Sequence, residues 1–380
     1  MFSRRLPWNA APNAYTRAVS AHRATGRPLF DLTESNPTRA GLVHATLDPL
    51  LDPAALQYDP EPWGLAAARE AISAYYDHTV PPERILLTAS TSEAYSHLLQ
   101  LLCDAGDEIL TPRPSYPLFE FLAGLLNVRA VQYPLHYHEG WWLDLDSVEE
   151  RITPRTRAIA VVSPNNPTGH YLANVPALTE LCARHSLALI CDEVFRDFAL
   201  EAAPGPSTAQ SQAHGSPPCL TFTLSGLSKV CGLPQMKLGW IVLNGPPTVV
   251  QDAASRLELI ADTYLSVSAP VQSAAAHWLA ARHSYIEAAR SRAAAHLAAL
   301  RGAGLAPLRA EAGWYACLRL PATRGEEEWM SLLLDHEVLA QPGYFYDFDS
   351  EPWAVVSLIT KPEIFQPGWE RLRACALRNA

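Results

Sequence analysis

Between residues 85 and 243 the chain alternates short apolar runs with longer amphipathic stretches. Each run is short, apolar and ended by a polar or turn residue, which is typical of a buried strand. The runs are residues 85–90, 107–110, 158–163, 187–194, 220–225 and 239–243. Two of the intervening stretches, 92–106 and 175–186, have helical spacing. Apolar strands separated by helices predict a parallel or mixed sheet covered by helices on both faces.

The last third of the chain differs in composition and in the pattern of its apolar residues. Residues 271–301 are rich in Ala and Arg, contain no Pro and lead to Gly302 and Gly304, which predicts one long connecting helix. Beyond it, apolar runs at 313–320 and 353–360 flank an acidic helical stretch near 325–337, and together they predict a smaller α+β domain.

The domain boundaries follow from these patterns. We expect residues 1–45 to form an N-terminal arm and part of the small domain, 46–272 the large domain, and 273–380 the connecting helix and the C-terminal small domain. Residues 202–218 are rich in Pro, Gly and Ser and predict a surface loop.

Composition removes several classes of function. Lys and Arg number 29 against 39 Asp and Glu, so the net charge of −10 provides no basic field for nucleic acid. No apolar run approaches membrane-spanning length, and the N-terminal segment is interrupted by Pro, Trp and Asn, so we expect a cytoplasmic protein without a membrane partner. The closest groupings of His and Cys supply two ligands each, too few for zinc, and no metal site is expected.

Polar side chains stand where the predicted strands end. Ser90, Thr91 and Ser92 lie between a strand and a helix, so their hydroxyls and the helix N–H groups could hold a phosphate, although helix capping is the commoner role of such residues. Asn166, in the turn SPNNPTG, could present an amide donor or could simply form the turn.

The next two strand ends carry charge. Asp192 and Glu193 follow an apolar strand directly, and a carboxylate buried there needs a cation or a donor beside it. Residues 223–240, TLSGLSKVCGLPQMKLGW, bring two hydroxyls, a nucleophilic amine and a second positive charge, supplied by Ser225, Ser228, Lys229 and Lys237. A Schiff-base amine, an acid for a pyridinium nitrogen and a phosphate cup together indicate pyridoxal 5'-phosphate.

In this order the segments resemble the class I/II aminotransferases of PLP fold type I, from LTESNPT at 32–38 to WAVVSLITKPEIF at 353–365. The resemblance implies a large domain with a mostly parallel seven-stranded sheet between helices, and a smaller α+β C-terminal domain. It also implies transfer of an amino group between an L-amino acid and a 2-oxo acid.

Residue roles follow from the same resemblance. Lys229 would form the Schiff base and carry the proton, Asp192 would pair with the ring nitrogen, and Asn166 would donate to the phenolic oxygen. Tyr116 would stack on the ring. The phosphate would be held by Ser90, Thr91, Ser92, Ser225, Ser228 and Lys237, and by Tyr58 of the neighbouring subunit in a homodimer with shared sites.

Three positions depart from the family pattern. Lys237 replaces the usual Arg, Phe195 replaces a Tyr that bonds the phenolic oxygen, and Val355 replaces the Arg that binds the substrate α-carboxylate. Candidates to replace that Arg are Arg39, Arg113, Arg196 and Lys361. Residues 261–270, near where some members of the family place an Arg for a second carboxylate, contain none, so a strict specificity for aspartate or glutamate is not supported.

Two other functions stay open. The loss of the Arg at position 355 favours a PLP-dependent lyase or decarboxylase on the same fold. A non-catalytic PLP-fold module, such as the effector domain of a transcription regulator, is disfavoured because Lys229 and Asp192 are present and a basic DNA-binding domain is not. The amino donor and the 2-oxo acid acceptor are not named by the sequence.

Overall fold

The structure is a computed structural model that describes residues 2–6, 11–43, 45–201, 205–301, 305–349 and 352–379. Its strands are β1 Phe30–Asp31, β2 Ile85–Thr88, β3 Glu108–Arg113, β4 Arg129–Tyr137, β5 Trp141–Leu143, β6 Thr156–Val162, β7 Ala188–Asp192, β8 Thr221–Gly226, β9 Gly239–Asn244, β10 Tyr315–Arg319, β11 Val338–Leu339, β12 Gln341–Pro342 and β13 Trp353–Ser357. All six runs predicted as strands contain one.

The helices include the connecting helix, which runs unbroken from Ala269 to Arg301. The two glycines predicted to end it, Gly302 and Gly304, lie outside the described residues. In chain order the helices are α1 Ala14–Ala24, α2 Ala66–Tyr75, α3 Thr91–Leu102, α4 Phe119–Leu125, α5 Leu145–Glu149, α6 Val175–Arg184, α7 Leu227–Val230, α8 Pro247–Tyr264, α9 Ala269–Arg301, α10 Glu326–Asp335 and α11 Pro362–Arg378.

One large sheet organises the first two thirds of the chain. Its strand order is β2-β9-β8-β7-β6-β3-β4-β5, and only β9 and β5 run against the others. The mostly parallel sheet is confirmed, with eight strands rather than seven. β4 and β5, at one side of the sheet, escaped prediction because β4 has many exposed and half-buried positions and contains Pro134, so it lacks the continuous apolar run of a buried strand.

Helices cover both faces of this sheet. On one face, side chains of α3 and α8 such as Leu98 and Leu257 pack against Ile190 and Phe222. On the other, Ile72 of α2 and Trp278 of α9 belong to a cluster with Trp240 and Val242 of β9, whereas Ile241 points to the first face. This alternation along a fully buried strand explains the continuous apolar run in the sequence.

A smaller unit joins the two ends of the chain. β1, from the N-terminal segment, pairs in parallel with β11, and β10, β13 and β12 form a second antiparallel sheet. Helices α10 and α11 pack on these strands through Trp329, Phe365 and Trp369. The result is the predicted α+β arrangement, while the boundaries at residues 45 and 272 stay predictions.

The carboxyl ends of β2, β6, β7 and β8 meet at one edge of the large sheet, as parallel strands require. Facing this edge is an aromatic cluster, which includes Phe195, Trp314, Tyr315 and Tyr346 together with Val355 of β13. Within the described ranges, no helix combines the length and apolar character needed to cross a membrane.

Candidate active site

A cavity of about 360 Å³ opens at this edge of the sheet. Nine of the eleven predicted site residues line it, namely Ser90, Thr91, Ser92, Tyr116, Asn166, Asp192, Ser228, Lys229 and Lys237. Ser225 lies buried beside them, and its Oγ has no hydrogen-bond partner among the described residues. Tyr58 lies outside the cavity with 80% of its surface exposed, so its predicted role in a neighbouring subunit stays a prediction.

Lys229 is brought into the cavity by the turn from β8 into α7. Its Nζ lies 4.8 Å from the centre of the Trp314 ring and 5.3 Å from that of Phe195. Burial lowers the pKa of Lys229 to about 8, while the negative charge of Asp192 acts in the opposite direction. An amine with this pKa is partly neutral near neutral pH, and the neutral form is the nucleophile.

Asp192 ends β7 and is 7% exposed. Its Oδ1 accepts the Val194 N–H at 3.1 Å and its Oδ2 accepts the Tyr95 hydroxyl at 3.4 Å. Burial raises the pKa of Asp192 to about 6, and these hydrogen bonds and Lys229 oppose the rise. A ligand N–H beside this carboxylate would favour its ionised form. Tyr95 was missed because it looks like any apolar position of an amphipathic helix.

The hydroxyl-rich end of the cavity, which we call the anion end, comprises Ser90, Thr91, Ser92, Ser228 and Lys237. Ser90 caps α3, its Oγ accepting the Glu93 N–H at 3.1 Å, so the capping role and a place in the cavity coexist. The walls approach closely because β9 starts at a glycine. A Cβ on Gly239 would lie 3.1 Å from the Ser90 carbonyl carbon and 3.2 Å from the Ser225 carbonyl oxygen.

The two adjacent asparagines of the turn 163–169 have different environments. Asn165 is buried; its Oδ1 accepts from the Ser115 hydroxyl at 2.8 Å, and its Nδ2 donates to the Pro114 carbonyl at 3.0 Å and to Thr168 Oγ1 at 2.8 Å. Asn166 lines the cavity, and its buried Oδ1 has no hydrogen-bond partner among the described residues. Asn165 therefore holds the turn that presents Asn166.

The opposite end of the cavity contains two residues that sequence reasoning missed, Ser35 and Tyr315. Tyr315 belongs to β10 of the smaller unit, and its ring centre lies 6.3 Å from that of Phe195. The hydroxyls of Tyr315 and Ser35 are hydrogen-bonded to each other. No local sequence signal marks either residue, because their proximity depends on how the smaller unit packs against the sheet edge.

The four cations proposed to replace the missing arginine lie outside the lining of this cavity. Arg39 approaches Glu34 at 3.8 Å, Arg113 pairs with Asp349, and Arg196 approaches Glu193 at 3.8 Å. Lys361 is exposed. Val355 itself is fully buried in the aromatic cluster. The structure thus brings none of the expected substitutes to the cavity.

The residues present fit pyridoxal phosphate. Asn166 Oδ1 and Ser225 Oγ are buried polar atoms with no protein partner among the described residues, as groups reserved for a ligand would be. A buried lysine, a buried carboxylate and hydroxyls at the N-terminus of α3 complete the chemistry that this cofactor requires. Among the described residues, no three His, Cys, Asp or Glu side chains come together as metal ligands.

Comparison with known proteins agrees with this chemistry. The family model described as Aminotransferase class I and II matches residues 31–364. The chain belongs to this family. Class I and II aminotransferases depend on pyridoxal phosphate.

Curated relatives share part of the sequence. The chain is 34% identical over 217 residues to glutamate-pyruvate aminotransferase AlaA of Escherichia coli, a match that covers 56% of this chain and 53% of the relative. It is 31% identical over 254 residues to arginine–pyruvate transaminase AruH of Pseudomonas aeruginosa, covering 61% of each protein. The chain thus spans little more than half the length of the curated relatives that it matches.

Solved structures extend the likeness over the whole chain. An alanine aminotransferase from Pyrococcus furiosus has a TM-score of 0.86 at 21% identity, with all of both chains covered. An aminotransferase from Escherichia coli has a TM-score of 0.84 at 24% identity, covering 98% of this chain and 97% of the other. At these identities the likeness establishes the fold, PLP fold type I.

Proposed function

We propose that this aminotransferase-family protein moves an amino group between an L-amino acid and a 2-oxo acid, with pyridoxal phosphate as its cofactor. The observation that carries the proposal is the buried pair of Lys229 and Asp192, at the ends of neighbouring parallel strands, in one cavity with the anion end. Family membership supports the same reaction.

Each predicted residue has a place in holding the cofactor. The anion end and Ser225 would hold the phosphate, Lys237 supplying the positive charge and the start of α3 its N–H groups. Asp192 would keep a proton on the ring nitrogen, Asn166 would bond the phenolic oxygen, and Tyr116 would cover the ring. When bound, the cofactor supplies an electron-withdrawing ring that stabilises negative charge at the substrate carbon.

Lys229 would have two duties in this reaction. Its amine would attach the cofactor. After the substrate amine displaces it, the freed amine would take the proton from the substrate α-carbon and pass it to the cofactor. A pKa of about 8 suits both duties, because the base is partly neutral at working pH and still basic enough to hold a proton. The rings of Trp314 and Phe195 close off the far side of this amine from water.

A homodimer with shared sites and a cytoplasmic location belong to the same proposal. Tyr58 is exposed, as are the apolar side chains of Leu47, Leu51 and Leu56 in the segment before it, and a second copy could cover such a surface. Size and scattering measurements in solution, with Tyr58→Ala as the probe of cofactor retention, would test the dimer.

A lyase or decarboxylase on the same fold is the second candidate, favoured by the absence of a carboxylate-binding cation in the lining of the cavity. One experiment separates the two. The PLP-loaded protein is mixed with single amino acids, starting with L-alanine and L-glutamate because one relative named above is the glutamate-pyruvate aminotransferase AlaA. Stoichiometric formation of pyridoxamine phosphate and a 2-oxo acid supports transamination, whereas repeated release of carbon dioxide or ammonia supports the alternative.

A further inference from the structure

The two ends of the cavity differ in charge. Among the described residues that line it, the cations are Lys229 and Lys237 and the acid is Asp192. Lys237 belongs to the anion end, and Lys229 is the reacting amine. The opposite end, which we call the tyrosine end, comprises Ser35, Tyr116, Asn166 and Tyr315, all of them neutral.

Every group at the tyrosine end can both donate and accept a hydrogen bond. The hydroxyls of Ser35 and Tyr315 are bonded to each other and retain further capacity. Asn166 would donate to the cofactor's phenolic oxygen through its Nδ2, which leaves its unpartnered Oδ1 as an acceptor, and a carboxylate has no hydrogen to offer it. An uncharged group that carries both an N–H and a C=O would satisfy these hydrogen-bond partners better than a carboxylate.

The surroundings do not favour a negative charge either. Val355, fully buried, contributes apolar surface behind Tyr315, and the two residues belong to the same cluster. Burial is the main cause that raises the pKa of the Tyr315 phenol, and the hydrogen bond with Ser35 opposes the rise. The negative charge of Glu34, which lies nearby, raises this pKa further. A carboxylate placed here would lose hydration without gaining a cation.

We propose that the tyrosine end recognises the substituent beside the substrate amine through neutral hydrogen bonds, so that α-amino carboxamides react about as readily as the corresponding amino acids. The inference rests on the proposed aminotransferase function and deepens it. In the balanced reaction, L-alaninamide and pyruvate give 2-oxopropanamide and L-alanine. The donor carbon exchanges its amine for a carbonyl oxygen and is oxidised by two electrons, and the acceptor carbon is reduced by the same two.

The test compares kcat/KM for matched pairs of L-amino acids and their carboxamides, with pyruvate as acceptor and rates corrected for the fraction of neutral amine. We expect the two members of each reactive pair to agree within about tenfold, because the stronger hydrogen bonds that a carboxylate accepts are offset by the cost of removing its charge from water with no cation beside it. A preference for the acid of about 100-fold or more, as a charge-assisted bond between a cation and the carboxylate provides, would overturn this inference but not the proposed function. Failure of every acid and every amide to react would overturn the proposed function as well.

A hydroxyl deletion tests where recognition occurs. Tyr315→Phe should raise KM for both the acid and the amide, by about tenfold for the amide and by at least as much for the acid, since both lose a hydrogen bond to the same hydroxyl and the bond to a carboxylate is the stronger. Tyr346→Phe is the matched control, because Tyr346 is a buried tyrosine of the same cluster whose hydroxyl bonds Gln341 outside the cavity. A loss confined to the acid, or an equal loss in the control, would contradict the assignment.

The complementary variant restores a cation. Val355→Arg should raise the preference for the acid over the amide by about tenfold or more, because a cation beside the tyrosine end binds only the carboxylate. Position 355 is fully buried, so thermal melting monitors folding of the variant. A folded variant with an unchanged preference would show that Val355 is not next to the bound substituent. If the variant does not fold, the inference is tested by the wild-type ratio of kcat/KM for acid and amide and by the Tyr315→Phe variant.

Discussion

The anion end and the tyrosine end of the cavity are built from different parts of the molecule. The anion end consists of residues that directly follow β2 and β8 or precede β9, so the large sheet positions all of them. The tyrosine end combines Tyr116 and Asn166 of the large unit with Ser35 and with Tyr315 of the smaller one. The comparison teaches that one sheet positions every residue of the anion end, whereas the tyrosine end depends on how the smaller unit packs against the large one.

Lys229 joins the two ends, and removing it should have the largest effect. Lys229→Ala should abolish turnover and covalent attachment of the cofactor, while pyridoxal phosphate still binds without a covalent bond because the anion end is intact. Borohydride reduction followed by mass spectrometry of peptides measures the attachment. Lys361→Ala, at an exposed lysine outside the cavity, is the control. Cofactor found on a lysine other than Lys229 would refute the site.

Asp192→Asn should lower the rate of proton abstraction by several orders of magnitude with a smaller change in cofactor binding, because a neutral amide does not keep the ring nitrogen protonated. Single-turnover absorbance measurements with L-alanine provide the rate. The matched control is Asp197→Asn, at a half-buried carboxylate whose partner is the Tyr75 hydroxyl at 3.0 Å. Near wild-type turnover in Asp192→Asn would reduce this residue to a structural role.

The neighbouring asparagines separate a residue that stabilises the turn, Asn165, from one that lines the cavity, Asn166. Asn165→Ala should lower the free energy of unfolding by about 2–3 kcal/mol, since it breaks three hydrogen bonds and leaves buried partners unpaired. Asn166→Ala should change stability by less than about 0.5 kcal/mol but lower activity roughly tenfold or more. Urea unfolding and steady-state kinetics on both variants separate the two effects, and exchange of the two outcomes would reverse the assignments.

The smallest expected effect is a shift in titration. In the protein freed of cofactor, carbamylation of Lys229 by cyanate should reach half its maximal rate near pH 8, because burial lowers the pKa of this amine to about 8. The charge of Asp192 raises that pKa, so Asp192→Asn should move the midpoint to lower pH. Mass spectrometry of the modified peptide gives the profile. A midpoint that stays in place, or rises, would show that the two groups do not interact.

The polar residues that sequence analysis singled out at strand ends line one cavity, while their roles stay predictions. Asp192, Lys229 and the serines around residue 91 each follow a run that reads as a buried strand, and parallel strands bring such residues to one edge. Sequence analysis missed Tyr95, whose hydroxyl approaches Asp192 from within α3. It also missed β4 and β5, because their half-exposed positions do not form a continuous apolar run.

The sequence by itself determined six of the eight strands of the large sheet, its mostly parallel character and the residue types of the anion end, because these depend on local pattern and on the direction of each strand. Only the tertiary structure decided which other groups line the cavity. It brought Ser35 beside Tyr315, which lies 280 residues further along the chain, and it buried Lys229 deeply enough to lower its pKa. It also engaged Arg39, Arg113 and Arg196 with carboxylates that do not line the cavity. Such contacts and desolvation arise when distant segments pack, and no local run of residues encodes them.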